Sequence, residues 1–97
     1  MSRPQLASEE LIIEAMNYLP FWTREGGSIV REIVAADFVS AVGLVNSIAI
    51  LAEVADHHPE IFIYGWNKLR ISLSTHDQSG LTELDFELAK KIDKLKF

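Results

Sequence analysis

An α+β fold, with helices covering one face of an antiparallel sheet, is predicted by three features of this 97-residue sequence. Apolar residues recur at helical spacing in three separate stretches, and two pairs of strand-like runs lie between them. In the last of those runs, Leu69, Ile71 and Leu73 alternate with Arg70, Ser72 and Ser74, the pattern of a strand with one buried and one wet face. The order is α-β-β-α-β-β-α, a four-stranded sheet with three helices. No repeat or linker divides it, so residues 1–97 read as one domain.

Ser8 caps the first helix, Glu9 and Glu10 sit at the positive end of its dipole, and Leu11, Ile12, Ala15, Met16 and Leu19 form its apolar stripe until Pro20 stops it. Strands at Phe21 to Glu25 and Ser28 to Ile33 flank Gly26-Gly27, a pair able to take positive φ in a hairpin turn. Asp37 caps a long helix reaching about Ala55, apolar around most of its circumference. It reads as a buried helix needing cover on two sides, one from the sheet and one from a neighbouring subunit. Ile61 to Trp66 and Leu69 to Ser74 make the second strand pair. Thr82 caps the last helix, with Asp85 as its capping-box partner and Leu81 and Phe86 as a hydrophobic staple, and Leu84, Leu88, Ile92 and Leu95 facing the core.

Composition narrows the function. Nine basic against fourteen acidic residues give a net charge of −5, with no basic run to neutralise a series of phosphates, which argues against direct nucleic-acid binding. Absence of cysteine removes disulfides, thiolate nucleophiles and Cys-based zinc sites. The N-terminal residues lack a signal-peptide pattern, and the uncharged stretch from Phe38 to Ala52 falls short of the roughly 20 apolar residues a membrane span needs, so a cytoplasmic protein is expected.

All three histidines lie in two short segments, Asp56-His57-His58-Pro59 and Ser74-Thr75-His76-Asp77. The first follows the C-terminal end of the long helix, where the dipole favours an imidazolium, and Pro59 forces His58 into extended geometry. If the strands after Pro59 and before Ser74 pair, His76 returns toward His57, giving two groups that titrate near neutrality in one pocket, suited to donating and removing protons. A metal site using these histidines with Asp56, Asp77 or Glu53 is the rival reading, although adjacent histidines are awkward chelators and the spacing matches no strong zinc pattern. Helix capping and surface-loop roles also remain open at this point.

Glu53-x-x-x-His57-His58-Pro59 followed by an aromatic residue and Ser74-Thr75-His76 resembles the signature of the pterin-4a-carbinolamine dehydratase family. The resemblance runs from about Trp22 to Asp85 and includes Arg31, Asp37-Phe38, Asn67-Lys68 and Gly80-Leu81-Thr82. It implies a four-stranded antiparallel sheet with three helices on one face, assembled as a homodimer or as a homotetramer that is a dimer of dimers. It implies dehydration of 4a-hydroxytetrahydropterin to quinonoid dihydropterin without metal or cofactor, in the recycling that serves aromatic amino acid hydroxylases. By position, His57, His58 and His76 would be catalytic, and Asp56 to His58 with Ser74 to Asp77 would line the pterin pocket, with Glu53 and Trp22 in support. Backbone groups near Ser74 and Thr75 would pair with the pterin edge.

This chain has one residue more than the usual family spacing between Pro59 and Asn67, so Tyr64 or Trp66 would fill the aromatic position, with a bulge absorbing the excess. Ile33 and Ala35 stand where the family usually has aromatics. Two alternatives accompany the resemblance: a protein-interaction module that stabilises a partner's dimer, and a dehydratase-like protein acting on another pterin.

Overall fold

Leu69, Ile71 and Leu73 are fully buried while Arg70 and Ser72 between them are partly exposed, so the alternation in the sequence is also the alternation in the sheet. A computed structural model describes residues 4–97. Its elements are α1 (Glu9–Met16), β1 (Thr23–Glu25), β2 (Ser28–Val34), α2 (Phe38–Ala55), β3 (Glu60–Tyr64), β4 (Lys68–Leu73) and α3 (Glu83–Asp93). A 3-10 turn at His76–Gln78 lies between β4 and α3.

The four strands form one antiparallel sheet in the order β1-β2-β4-β3, which places β4 centrally between β2 and its own hairpin partner β3. Ile29 and Ile33 of β2 pair with Leu73 and Leu69 of β4, while Ile61 and Ile63 of β3 pair with Ile71 and Leu69. One sheet face therefore carries a continuous aliphatic layer, and Ile12 of α1, Ala41, Leu44 and Ile48 of α2 and Leu88 and Ile92 of α3 pack onto it.

Helix ends follow their capping chemistry. Ser8 accepts from the Leu11 amide and Asp37 from the Ser40 amide, a bond that holds the Asp37 carboxyl below the usual carboxylate range. At α3 the capping box is complete, with Thr82 and Asp85 each satisfying the other's backbone amide. Asp56, at φ 49°, ends α2: its amide and that of His57 donate back to the Glu53 and Ala52 carbonyls, a Schellman closure that turns the chain sharply.

Several boundaries differ from the sequence reading. β1 begins at Thr23 rather than Phe21, because the Trp22 amide donates to the Leu19 carbonyl in a turn. β3 ends at Tyr64 rather than Trp66, because Gly65 and Trp66 both take positive φ. The extra residue is held in that turn and not in a bulge, since the β3–β4 register is unbroken from Glu60↔Ser72 to Tyr64↔Lys68. Leu11 is exposed, because Ile12 takes the inward position of α1. α2 is buried on one side only, through Ala41, Leu44, Ile48 and Ala52; Val39, Val42, Ile50 and Val54 are exposed in the single chain.

A polar anchor ties β2 to the end of α3. Arg31, on the inner face of β2, donates to Asp93 Oδ1 at 2.5 Å, and Trp22 Nε1 donates to the same oxygen at 2.9 Å. The Arg31 guanidinium lies over the Phe21 and Phe97 rings, 4.5 and 5.4 Å from their centroids. Its side chain is only 10 % exposed, so loss of Asp93 strands a mostly desolvated charge. Asp93→Ala is expected to lower stability by about 3 kcal/mol, measured as a lower urea midpoint at unchanged m-value.

Candidate active site

The pairing of β3 with β4 decides whether the two histidine segments meet, because His57-His58 precedes β3 and Ser74-Thr75-His76 follows β4. Their antiparallel register sets Glu60 opposite Ser72, so the chain entering β3 and the chain leaving β4 emerge at the same end of the sheet. There Asp56, His57 and His58 face Ser74, Thr75, His76 and Asp77 across one cleft of about 260 Å³. Pro4, Gln78 and Leu84 complete its lining. Leu84 thus borders the cleft and does not enter the core as its helical spacing suggests, since the capping box turns the first residues of α3 toward the loop.

His57 forms the floor and is 8 % exposed. Its Nε2 lies 2.6 Å from Oδ1 of Asp85, which is wholly buried. The other Asp85 oxygen accepts from the Thr75 hydroxyl and from the Thr82 amide, both at 2.9 Å. The remaining donors fall into line: the Leu84 amide donates to Thr82 Oγ1, and the Thr82 hydroxyl, 2.7 Å from Thr75 Oγ1, donates to it because the Thr75 proton is already given to Asp85. Every bond in this cluster points toward the carboxylate. An acceptor-only Asp85 requires a proton on His57 Nε2, so in a neutral imidazole Nδ1 carries the free lone pair.

The other two histidines are wetter. His58 Nε2 lies 2.9 Å from Glu53 Oε1, a surface pair linking the last turn of α2 to the residue before Pro59. His76 opens the 3-10 turn and is exposed at the rim. The Thr75 backbone is fully engaged: its amide donates to the Gly80 carbonyl at 2.8 Å, and its carbonyl accepts from Gln78 and Gly80. That leaves Ser74, and not Thr75, to offer backbone groups to a ligand edge. Among the described residues, no group of three or more His, Asp or Glu side chains converges as metal ligands would.

Of the residues singled out by sequence, Asp56, His57, His58, Ser74, Thr75, His76 and Asp77 meet in the cleft, and Glu53 reaches it only through His58. Trp22 does not line it; its indole is committed to Asp93. Asp85 was legible only as a helix cap. The available signal was stoichiometric: a capping-box carboxylate uses one oxygen on the cap amide, and the second needs a partner if the helix start is buried.

Comparison with known proteins gives a consistent picture. The sequence profile of the family described as Pterin 4 alpha carbinolamine dehydratase matches residues 5–95. A Nocardia farcinica protein is 45% identical over 91 residues, 94% of this chain and 95% of its own. A Metallosphaera sedula protein is 39% identical over 93 residues, 96% and 95%. Both carry the name pterin-4-alpha-carbinolamine dehydratase provisionally. The crystal structure of a Brucella melitensis protein described as a transcriptional coactivator/pterin dehydratase superposes with a TM-score of 0.86 at 34% identity, covering 92% of this chain and 96% of that one. A pterin dehydratase-like protein described as a RuBisCO assembly factor in the alpha-carboxysome shares the fold at a TM-score of 0.59 and 18% identity, covering 74% and 82%.

Asp85→Asn is expected to break the donor order around the carboxylate. An amide nitrogen must face either the Thr82 amide, leaving donors opposed, or His57, whose Nε2 must then accept, at a cost of about 1–3 kcal/mol. Nitrogen-15 chemical shifts of His57 should report the proton on Nε2 in the native chain and lose that preference in the variant.

Proposed function

The chain belongs to the pterin-4-alpha-carbinolamine dehydratase family, and from that membership we propose that its histidine cleft removes water from a 4a-hydroxytetrahydropterin to leave the quinonoid dihydropterin. The observation that supports this most is the meeting of His57, His58 and His76 on one cleft whose deepest imidazole is held by a buried carboxylate. In the reaction the C4a–O bond breaks with its electron pair leaving on oxygen. An acid protonates that oxygen, so the group departs as water and not hydroxide. The proton on the neighbouring ring nitrogen passes to a base, and the electrons of that N–H bond form the new C=N bond.

Histidine suits both tasks near neutral pH. We assign the base to His57, which offers its Nδ1 lone pair while Asp85 stabilises the imidazolium as it forms. His76, at the solvent-facing rim, is the acid for the leaving oxygen, and His58, oriented by Glu53, positions the hydroxyl. Asp56, Ser74 and Asp77 border the pterin, and the product returns to the cofactor recycling used by aromatic amino acid hydroxylases.

A stopped-flow assay of 4a-hydroxytetrahydropterin dehydration tests the assignment. His57→Ala and His76→Ala are each expected to lower kcat by about 10²–10⁴-fold, with His58→Ala affecting KM more than kcat. Failure of the folded native chain to accelerate the reaction would reject the enzymatic reading.

The exposed apolar side of α2 supports a second reading beside the first. Val39, Val42, Ile50 and Val54 form a stripe along a helix whose other side is already committed to the sheet. We propose that this stripe is covered in a homodimer or homotetramer; in the interaction-module alternative, a partner's helices take that place. Ile50→Glu combined with Val54→Glu is expected to shift sedimentation from oligomer to monomer. A native chain that sediments as a monomer at micromolar concentration contradicts the assembly.

A further inference from the structure

The segment before α1 meets the cleft in a way that the catalytic reading does not use. Pro4 lines the cavity alongside Gln78, and both are half buried, whereas His76 and Asp77 beside them are exposed. Two contacts hold the segment in place. The Ala7 amide donates to the Leu81 carbonyl at 2.8 Å, and the Leu6 side chain lies over Gly80 so closely that a Cβ there would come within 2.8 Å of its Cδ2. Gly80 in turn exchanges backbone bonds with Thr75, whose hydroxyl feeds the Asp85 network. Gly27 of the β1–β2 turn also neighbours Gly80: a Cβ added at Gly27 would lie 3.4 Å from the Gly80 Cα. The segment is thus clasped to the loop that carries His76, with Pro4 brought to the cavity edge.

Depth indicates what Pro4 would touch. His57 forms the floor, with Asp85 buried behind it, and the cavity, at about 260 Å³, lies below the roughly 300–1,000 Å³ typical of small-molecule sites. A bicyclic ring seated against His57 fills it, so a substituent on that ring must run past the rim. We propose that Pro4–Ala7 is a specificity strap: it walls the outer cleft and, through Pro4 and Gln78, selects among pterins by the substituent that projects from the ring. This rests on the reading of the cleft as a pterin site. Leu6 is a positioning residue that sets Pro4 through Gly80. Proline suits the wall because its fixed φ leaves little backbone freedom to lose when a ligand packs against it.

Gly80→Ala provides a selective perturbation. Gly80 has an ordinary backbone conformation and the added methyl meets only the end of the Leu6 side chain, so Leu6 must leave its seat and the strap loses that anchor while the Thr75 backbone bonds remain. Leu6→Ala removes the same anchor from a residue that is 54% exposed, with little risk to folding. In full-length protein, kcat and KM are measured for 4a-hydroxytetrahydropterins bearing a 6-methyl or a 6-dihydroxypropyl group. Binding of the matching 7,8-dihydropterins is measured by fluorescence.

For both variants KM and Kd should rise about tenfold for the dihydroxypropyl compounds, with less than about twofold change for the methyl compounds and with kcat unchanged. Equal changes for both substituents, or none, overturn the strap while leaving the dehydratase reading intact. A native chain that binds both dihydropterins but dehydrates neither substrate rejects the dehydratase reading alone, and the Kd ratio then decides the strap. Absence of pterin binding by the native chain overturns both.

Discussion

The bond between His57 and Asp85 is the interaction on which the rest of the site depends, because it joins three elements distant in sequence. His57 lies just after the end of α2, Asp85 in the first turn of α3, and Thr75, which donates to the same carboxylate, in the chain leaving β4. A wholly buried carboxylate is costly unless its oxygens are satisfied, and three donors meet that requirement here. Satisfying it fixes where α2 ends, how the post-β4 loop curls and where α3 starts. The constraint that keeps the charge tolerable also aims the imidazole.

The direction of the surrounding bonds carries chemical consequence. Thr75 and Thr82 hydroxyls and the Thr82 amide all donate inward, so Asp85 has no acceptor beside it to invite a proton. His57 donates from Nε2, which leaves Nδ1 as the ring nitrogen able to accept. A helix capping box has been extended into an orienting device: one carboxylate oxygen serves the helix start and the other the histidine. His58 and Glu53 repeat the pairing at the surface, where water screens it and the geometry is held less firmly.

The sheet supplies rigidity to this arrangement. β4 is central and its three inward residues are fully buried, so the loop that follows starts from a fixed point. The Schellman turn at Asp56 does the same for the other half of the cleft, since a left-handed residue there redirects the chain within two peptides of the helix. Apolar residues on the outward side of α2 do not contribute to this frame within one chain, which is why the helix is apolar nearly all round yet buried on one side only.

The sequence by itself determined the element order, the helix caps at Ser8, Asp37 and Thr82, and the inward set of β4, because caps and periodicity are local properties that neighbouring residues impose on one another. It also concentrated the imidazoles in two segments, and the family resemblance rested on those residues. Only the tertiary structure decided that β3 and β4 pair without a bulge, that Trp22 turns to Asp93, and that Leu84 borders the cleft. The same holds for Asp85, which any local reading takes as a cap: its second oxygen meets His57 across 28 positions of sequence. Capping is written in three or four consecutive residues, whereas the partner of a buried charge depends on which distant segment the sheet register brings beside it.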